Sequence, residues 1–279
     1  MILDRRAELG GFLKSRRARL RPGDLGLPSH GGRRRVPGVR REELALTAGV
    51  SVDHYIRLEQ GRELQFSASV LDAVARVLRL DKVEHEYLYR LARPWPDTTS
   101  TPRGQAVRPG LRRLLAAMTD VPAYVIGRAG DVLAWNDLGA ALITDFAALP
   151  PFQRNLARLV VVDPQVSALY ADWPAKVRDI AAYLRLDAAR HPDDARTRAL
   201  LAELCAASPE FRAAWDDHDL NEKTHGGYVY LHPQAGRLEL GFEALRLPDD
   251  PDQALIVHTA PDGSDAVARL LSVSAAPAA

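Results

Sequence analysis

The sequence predicts an α+β chain in two parts: an all-α bundle of five short helices, then a mixed α/β domain. Three observations predict it. Apolar residues recur at helical spacing through residues 1–93, whereas in 110–273 strand-like runs stand on both sides of a helical middle. Between them, residues 94–109 carry four prolines and few apolar side chains, the composition of a linker. Residues 274–279 read as a frayed tail. The 279 residues suit about two domains, and 47% apolar against 26% charged residues is the balance of a folded chain.

In the first part, Leu9, Phe12, Leu13, Arg16 and Leu20 follow a helical period that Arg21-Pro22-Gly23 stops. A basic loop rich in Gly and Pro follows, and a second helix spans Arg40 to Ala48. Gly49 suits the left-handed residue that closes a helix, Val50 is an apolar plug, and Ser51 can cap a third helix running to Gln60. Leu44, Ala45, Ala48, Val50, Tyr55, Ile56 and Leu58 let these two helices cross closely, and Gly61 ends the pair. Ser67 caps a fourth helix with Val70, Leu71, Val74, Val77 and Leu78 on one face, and Asp81 with Glu84 forms a capping box that opens a fifth.

The net charge of +1 hides an asymmetry. Residues 1–93 hold 19 Lys+Arg against 12 Asp+Glu, while 94–279 hold 18 against 24. The clusters Arg16-Arg17-Ala18-Arg19-Leu20-Arg21 and Arg33-Arg34-Arg35 would favour a polyanion such as nucleic acid, or else form a solvated face. The stretch from Glu42-Glu43-Leu44-Ala45 through Gly49-Val50-Ser51 to Leu58-Glu59-Gln60-Gly61 decides between them, because it resembles the XRE/Cro/phage-repressor-like helix-turn-helix family. That resemblance implies that the helix from Ser51 to Gln60 enters the major groove of an operator. Its outward residues Val52, Asp53, His54 and Arg57 would then face base edges. Arg57 could pair with guanine and Val52 touch a thymine methyl, and Asp53 could accept from cytosine or buttress Arg57. Arg33, Arg34, Arg35, Arg40 and Arg41 are placed for phosphate.

In the second part, a short helix at Leu111 to Thr119 precedes a hairpin of Ala123–Ile126 and Val132–Trp135, after which Asn136 can cap a helix carrying Leu138, Ala141, Leu142 and Phe146. Helical patterns cover Phe152 to Val162, Ala175 to Arg190 and Ala195 to Ala207. Strands return at Gly227–His232, Leu238–Leu247 and Ala254–Thr259, which suggests one mixed sheet under a helical layer.

The hairpin followed by Trp135-Asn136 looks like the opening of a PAS fold. Over nearly its whole length the chain is similar to the MmyB-like transcriptional regulators. The residues that carry this are Val39-Arg40-Arg41-Glu42-Glu43, Leu58-Glu59-Gln60-Gly61, Val132-Leu133-Ala134-Trp135-Asn136, Arg154-Asn155-Leu156, Ala207-Ser208-Pro209-Glu210-Phe211 and Leu247-Pro248-Asp249-Asp250-Pro251. The resemblance implies a sequence-specific regulator whose PAS-like domain holds a small hydrophobic, fatty-acid-like ligand. An acyl chain needs an apolar lining and one polar anchor. Tyr124, Trp135, Phe146, Phe152, Leu159, Trp173 and Tyr183 could line such a site or simply pack a core. Arg154 with Asn155 could hold a carboxylate, or Arg154 could tie the loop to its strands, and Asn136 beside Trp135 is counted among the ligand-binding residues. The family usually carries more basic residues near Gly226–His232 than this chain does.

Catalytic chemistry has no foothold in the sequence: it has no phosphate-cradling Gly-rich loop, no His-Glu-x-x-His and no nucleophile elbow. His218, His225 and His232 lie seven apart with no established metal-ligand spacing, so neither metal nor obligate cofactor is expected, and the single Cys205 favours a reducing compartment. No apolar run reaches the roughly 18 residues of a membrane span, which points to the cytoplasm and to no membrane partner. The expected partners are a double-stranded operator, a small hydrophobic ligand and a second copy of the chain in a homodimer. One alternative keeps DNA binding and makes the second part a dimerisation or protein-interaction module; the other, less favoured, is an enzyme fused to a DNA-binding module, which would need a pair of titratable residues in one pocket.

Overall fold

A computed structural model describes residues 4–27, 38–62, 65–93 and 105–274. The chain forms two compact units. Unit 1 comprises Met1–Thr101, Arg185–Arg198 and Asp216–Asn221, and unit 2 comprises Pro102–Leu184, Ala199–Trp215 and Glu222–Ala279.

In unit 1 the helices are α1 (Arg5–Arg19), α2 (Arg41–Ala48), α3 (Val52–Glu59), α4 (Ala68–Val77) and α5 (Lys82–Ala92). The caps are those the sequence predicts. Gly49 closes α2 at φ 67°, Ser51 accepts from the His54 amide, Ser67 from the Val70 amide, and Asp81 and Glu84 bond each other's backbones. Each side-chain cap satisfies an otherwise orphaned N–H and contributes about 1 kcal/mol. The apolar stripes meet in one core of Leu9, Phe12, Leu13, Leu44, Tyr55, Leu58, Leu71, Val74, Tyr87 and Leu88, with Phe12 edge-on to Tyr87 at 5.1 Å.

Part of the basic run lies inside this unit, not on its surface. Arg16 pairs with Glu84 at 2.6 Å, and Arg17 lies flat against Glu59. A long cation is buried only when paired, and here the partners come from distant positions in the chain. Glu8 is buried too, accepting from the Tyr87 hydroxyl at 2.6 Å and ion-paired with Arg185. The Arg33-Arg34-Arg35 cluster lies outside the described residues.

Unit 2 is built on five strands: β1 (Ala123–Ile126), β2 (Val132–Trp135), β3 (His225–His232), β4 (Gly236–Leu247) and β5 (Asp250–Thr259), in the order β2-β1-β5-β4-β3. All the pairings are antiparallel, which corrects the mixed sheet expected from the sequence. Strands β1 and β5 are neighbours far apart in sequence, so their sense is set by the whole intervening helical segment and not by a local turn.

The helices of unit 2 are α6 (Pro109–Ala117), α7 (Asp137–Ile143), α8 (Leu156–Val162), α9 (Pro164–Ser167), α10 (Trp173–Arg190), α11 (Ala195–Ala207), α12 (Pro209–Asp216) and α13 (Ala266–Ser274), some of α10, α11 and α12 belonging to unit 1. The helix expected from Phe152 starts later, because Asn155 is its cap and accepts from the Arg158 amide at 2.9 Å. Sequence patterning did not register α12 and α13. Ser208, bonding the Phe211 amide at 3.0 Å, is the local signal for α12.

Registers assign the two faces of the sheet. Ala123, Val125, Ala134, Leu255 and Val257 lie on one face, packed with Leu111 and Leu115 of α6. The partnered pairs Tyr124↔Trp135, Tyr124↔Ile256, Phe242↔His258, Tyr228↔Leu240 and Tyr230↔Leu238 lie on the other. A strand presents alternate residues to opposite faces, so this second face carries most of the aromatic side chains.

Candidate functional site

Unit 1 offers a short helix at its surface. Tyr55 and Leu58 of α3 are buried, so Val52, Asp53 and Arg57 are turned outward and exposed. Arg57 Nη2 lies 3.2 Å from Asp53 Oδ2, one helical turn away, so of the two roles open to Asp53 the fold displays the buttress. His54 is half-buried, its ring 5.1 Å from that of Phe66. Among the arginines placed for phosphate, Arg41 gives its Nε to Glu59 at 2.8 Å, while the exposed Arg40 supplies the backbone N–H that Glu43 caps at 2.7 Å. A Cβ on Gly10 of α1 would stand 2.6 Å from the Glu59 carbonyl oxygen, so α1 and α3 touch backbone to side-chain-free backbone. This close contact and the Arg17–Glu59 pair fix the angle at which α3 is presented.

Unit 2 offers the aromatic face. A row of rings runs from Trp135 to Phe146 (5.3 Å), Tyr124 (6.4 Å), His258 (5.6 Å), Tyr230 (5.9 Å), Tyr170 (5.2 Å) and Tyr228 (5.7 Å). Tyr170 is brought in by the segment before α10, which pairs with the edge of β3: the Ala171 amide donates to Val229 O and the Leu231 amide to Leu169 O.

The side chains expected to hold a ligand divide. Tyr124 and Phe146 are buried within the row, with Trp135 half-buried beside them. Leu159 is buried in α8. Phe152 is 69% exposed, because its helix begins only at Leu156. Trp173 Nε1 donates to Val160 O, and the Tyr183 hydroxyl to Gly127 O. Asn136 and Asn155 are helix caps whose amides are spent on Met118 O, Val121 O, Ala129 O and Asp131. Arg154 lies 5.4 Å above Trp135, and its Nε and Nη2 donate to Leu149 O and Ala147 O.

At the other end of the row stands a residue the sequence reading passed over. Lys176 of α10 is 7% exposed, with Nζ 4.1 Å from the centre of the Tyr228 ring and 5.2 Å from that of Tyr170. Among the described residues its ammonium has ring faces but no hydrogen-bonding or ion-pairing partner. Asp179, one turn on, accepts instead from Lys223 Nζ at 2.6 Å and the Tyr228 hydroxyl at 2.8 Å. Ring faces return about 2 kcal/mol to a desolvated ammonium, less than the several kcal/mol that burying it costs. Burial accordingly lowers the Lys176 amine to about 8, opposed by Asp179.

Burial and the charge of Lys176 hold His258 neutral down to about 3, and burial pushes the phenols of Tyr124, Tyr170, Tyr228 and Tyr230 upward. On this face two buried polar atoms have no hydrogen-bond partner among the described residues, Tyr170 Oη and His258 Nδ1. One signal in the sequence could have found Lys176: it stands four residues before Ile180 and eight before Leu184, a charge written into an apolar helical stripe.

The three histidines spaced seven apart have separate roles. His232 accepts the Gln234 and Ala235 amides at Nδ1 and donates from Nε2 to Ala141 O, His225 lies 3.2 Å from the Thr224 hydroxyl, and His218 belongs to unit 1. No group of His, Cys, Asp and Glu side chains among the described residues could hold a metal ion. No helix of the described residues is long and apolar enough to cross a membrane.

Comparison with known proteins accounts for both units. Residues 8–88 match the profile of a helix-turn-helix domain, and residues 107–273 that of the MmyB-like transcription regulator ligand binding domain. A search of curated proteins gave no match. Both families are regulatory, one DNA-binding and one ligand-binding, and together they support a ligand-responsive transcription regulator. With the ligand-binding profile covering more than half of its length, the chain belongs to the MmyB-like transcription regulators.

Proposed function

We propose that the chain is a sequence-specific regulator that binds its operator as a homodimer through α3, and that unit 2 is a PAS-like domain for a small hydrophobic, fatty-acid-like ligand. The sheet order β2-β1-β5-β4-β3 with helices across the aromatic face supports the PAS-like reading. Outward Val52, Asp53 and Arg57 on a capped α3 support base reading by an XRE-type motif, with Arg40 near its approach for phosphate. A dimer follows from the operator logic of such motifs, in which two half-sites match a two-fold axis. A regulator that reads DNA works where the DNA is, which favours the cytoplasm.

The observation that carries the ligand reading is the ring row from Trp135 through Phe146 and Tyr124 to Tyr170, with a cation at each end. Apolar rings ending at a charge are the complement of an amphiphile. Native mass spectrometry of the purified protein, followed by denaturing extraction, tests it. A bound acyl species supports the reading; a ligand-free folded protein that also fails to take up long-chain acids would make unit 2 a dimerisation module instead.

A further inference from the structure

Of the two cations that bracket the ring row, Arg154 is tied by hydrogen bonds and Lys176 makes none among the described residues. Arg154 spends Nε and Nη2 on Leu149 O and Ala147 O, which tie it to its own loop. Lys176 Nζ meets ring faces and no acceptor among the described residues. Nor is it alone in this. Close by, Tyr170 Oη and His258 Nδ1 are fully buried with no hydrogen-bond partner among the described residues. The three come from α10, from the segment before it and from β5, so no local turn explains their convergence. Buried polar atoms are nearly always bonded, and two unsatisfied ones beside an ammonium that meets only ring faces mark a place built for a polar group.

Charge selects the group. Lys223 and Asp179 cancel each other at 2.6 Å, which leaves Lys176 as a single positive charge among neutral phenols and a neutral imidazole. One ammonium matches one negative charge, so a neutral alcohol would leave it buried and unpaired, and a phosphate dianion would lack a second cation. We propose that Lys176, Tyr170 and His258 form the head-group site for an amphiphilic carboxylate, with its apolar tail running toward Phe146 and Trp135. Lys176 supplies the charge and N–H donors, and Tyr170 an O–H donor. Asp179 orients the Tyr228 ring beneath the ammonium through its bond to the Tyr228 hydroxyl. This assignment rests on the reading of unit 2 as an amphiphile-binding domain.

Calorimetry of the full-length protein with decanoate and with decan-1-ol separates the two claims. The wild-type protein is expected to bind the acid at least about tenfold more tightly than the alcohol of equal length. Lys176→Met is expected to bind both alike, at the wild-type affinity for the alcohol. Equal binding of both probes by wild type overturns the head-group site and leaves the amphiphile reading standing, whereas binding of neither overturns both. A preference that survives Lys176→Met, or is abolished by Arg154→Gln in its place, also overturns the assignment.

The wild-type protein carries a second test if the variant does not fold. Lys176 faces Asp179 and Lys223, which pair with each other, and Tyr170, Tyr228 and His258, which stay neutral, so it is the group that titrates above neutrality. The preference for decanoate should therefore shrink between about pH 7 and about pH 9.5, and a constant preference counts against Lys176.

Discussion

Arg17 and Glu59 form a two-pronged buried ion pair that joins α1 to the far end of α3: Nε meets Oε2 at 2.9 Å and Nη2 meets Oε1 at 3.0 Å. The third nitrogen, Nη1, donates to Val39 O at 2.7 Å, so the same guanidinium also holds the chain entering α2. Truncating one partner of such a pair leaves the other buried and uncompensated, at a cost of about 3–5 kcal/mol. Glu59→Ala should lose that much stability in urea denaturation, with Glu59→Gln intermediate. A loss under about 1 kcal/mol would mean that Arg17 finds water in the folded state. The pair also fixes a direction with pH. Arg17 and Arg41 hold the Glu59 carboxylate below its ordinary 4.5 against the opposing effect of burial. Its contribution is therefore complete above about 4.5 and lost as pH falls further, and Glu59→Gln should be the flatter of the two in acid.

Arg57→Ala removes the exposed guanidinium that α3 offers to base edges, together with its contact to Asp53. A bidentate arginine–guanine contact discriminates by about 1–3 kcal/mol, so the variant should lose between several-fold and a hundredfold in preference for the operator over mutated sites. Both side chains lie in solvent, so stability should change little. Binding to a selected operator and to scrambled DNA at fixed salt measures the ratio. An unchanged ratio removes Arg57 as a base reader.

Gly10→Ala should destabilise unit 1 although alanine is the better helix former. The intrinsic gain is about 1 kcal/mol. Against it, the new Cβ would stand 2.6 Å from Glu59 O, a backbone atom that only a shift of α3 could relieve. Thermal unfolding should show a lower Tm, with weaker operator binding than at the neighbouring surface control Lys14→Ala. A raised Tm would show that α1 and α3 slide apart freely.

What the sequence made legible was local. Ser51, Ser67, Asp81 and Asn136 cap the helices they were expected to cap because a cap acts within three residues. The hairpin around Gly127–Asp131 was likewise readable from its own turn. Long-range effects were not. Arg16 and Arg17 look like surface in a basic run, and only the fold reveals Glu84 and Glu59 beside them, the latter 42 residues away. The antiparallel sense of β1 against β5 depends on everything between them. The polar end of the ring row combines Tyr170, Lys176, Tyr228 and His258, whose neighbourhood exists only once β3, β5 and α10 are in register.

Lys176 is the strongest case, because a group placed for binding should weigh on the fold that carries it. Its amine is lowered from 10.5 to about 8 in the folded chain, so folding disfavours the charged form. Below about pH 8 both folded and unfolded chains are charged and the folded one bears the full burden. As pH rises from about 8 toward 10.5 the folded amine is already neutral while the unfolded one is still charged, and the burden is lifted. The shift corresponds to about 3 kcal/mol at most. Lys176→Met, close in length and without the charge, should therefore make the ligand-free protein more stable than wild type by about 1–3 kcal/mol near pH 7. The gap should close toward pH 10, read by chemical denaturation at several pH values. A carboxylate bound beside the ammonium would remove the same burden, so decanoate should raise the Tm of wild type and leave Lys176→Met nearly unmoved. A variant less stable than wild type at pH 7, or a gap indifferent to pH, would mean that Lys176 keeps its charge hydrated and is no anchor.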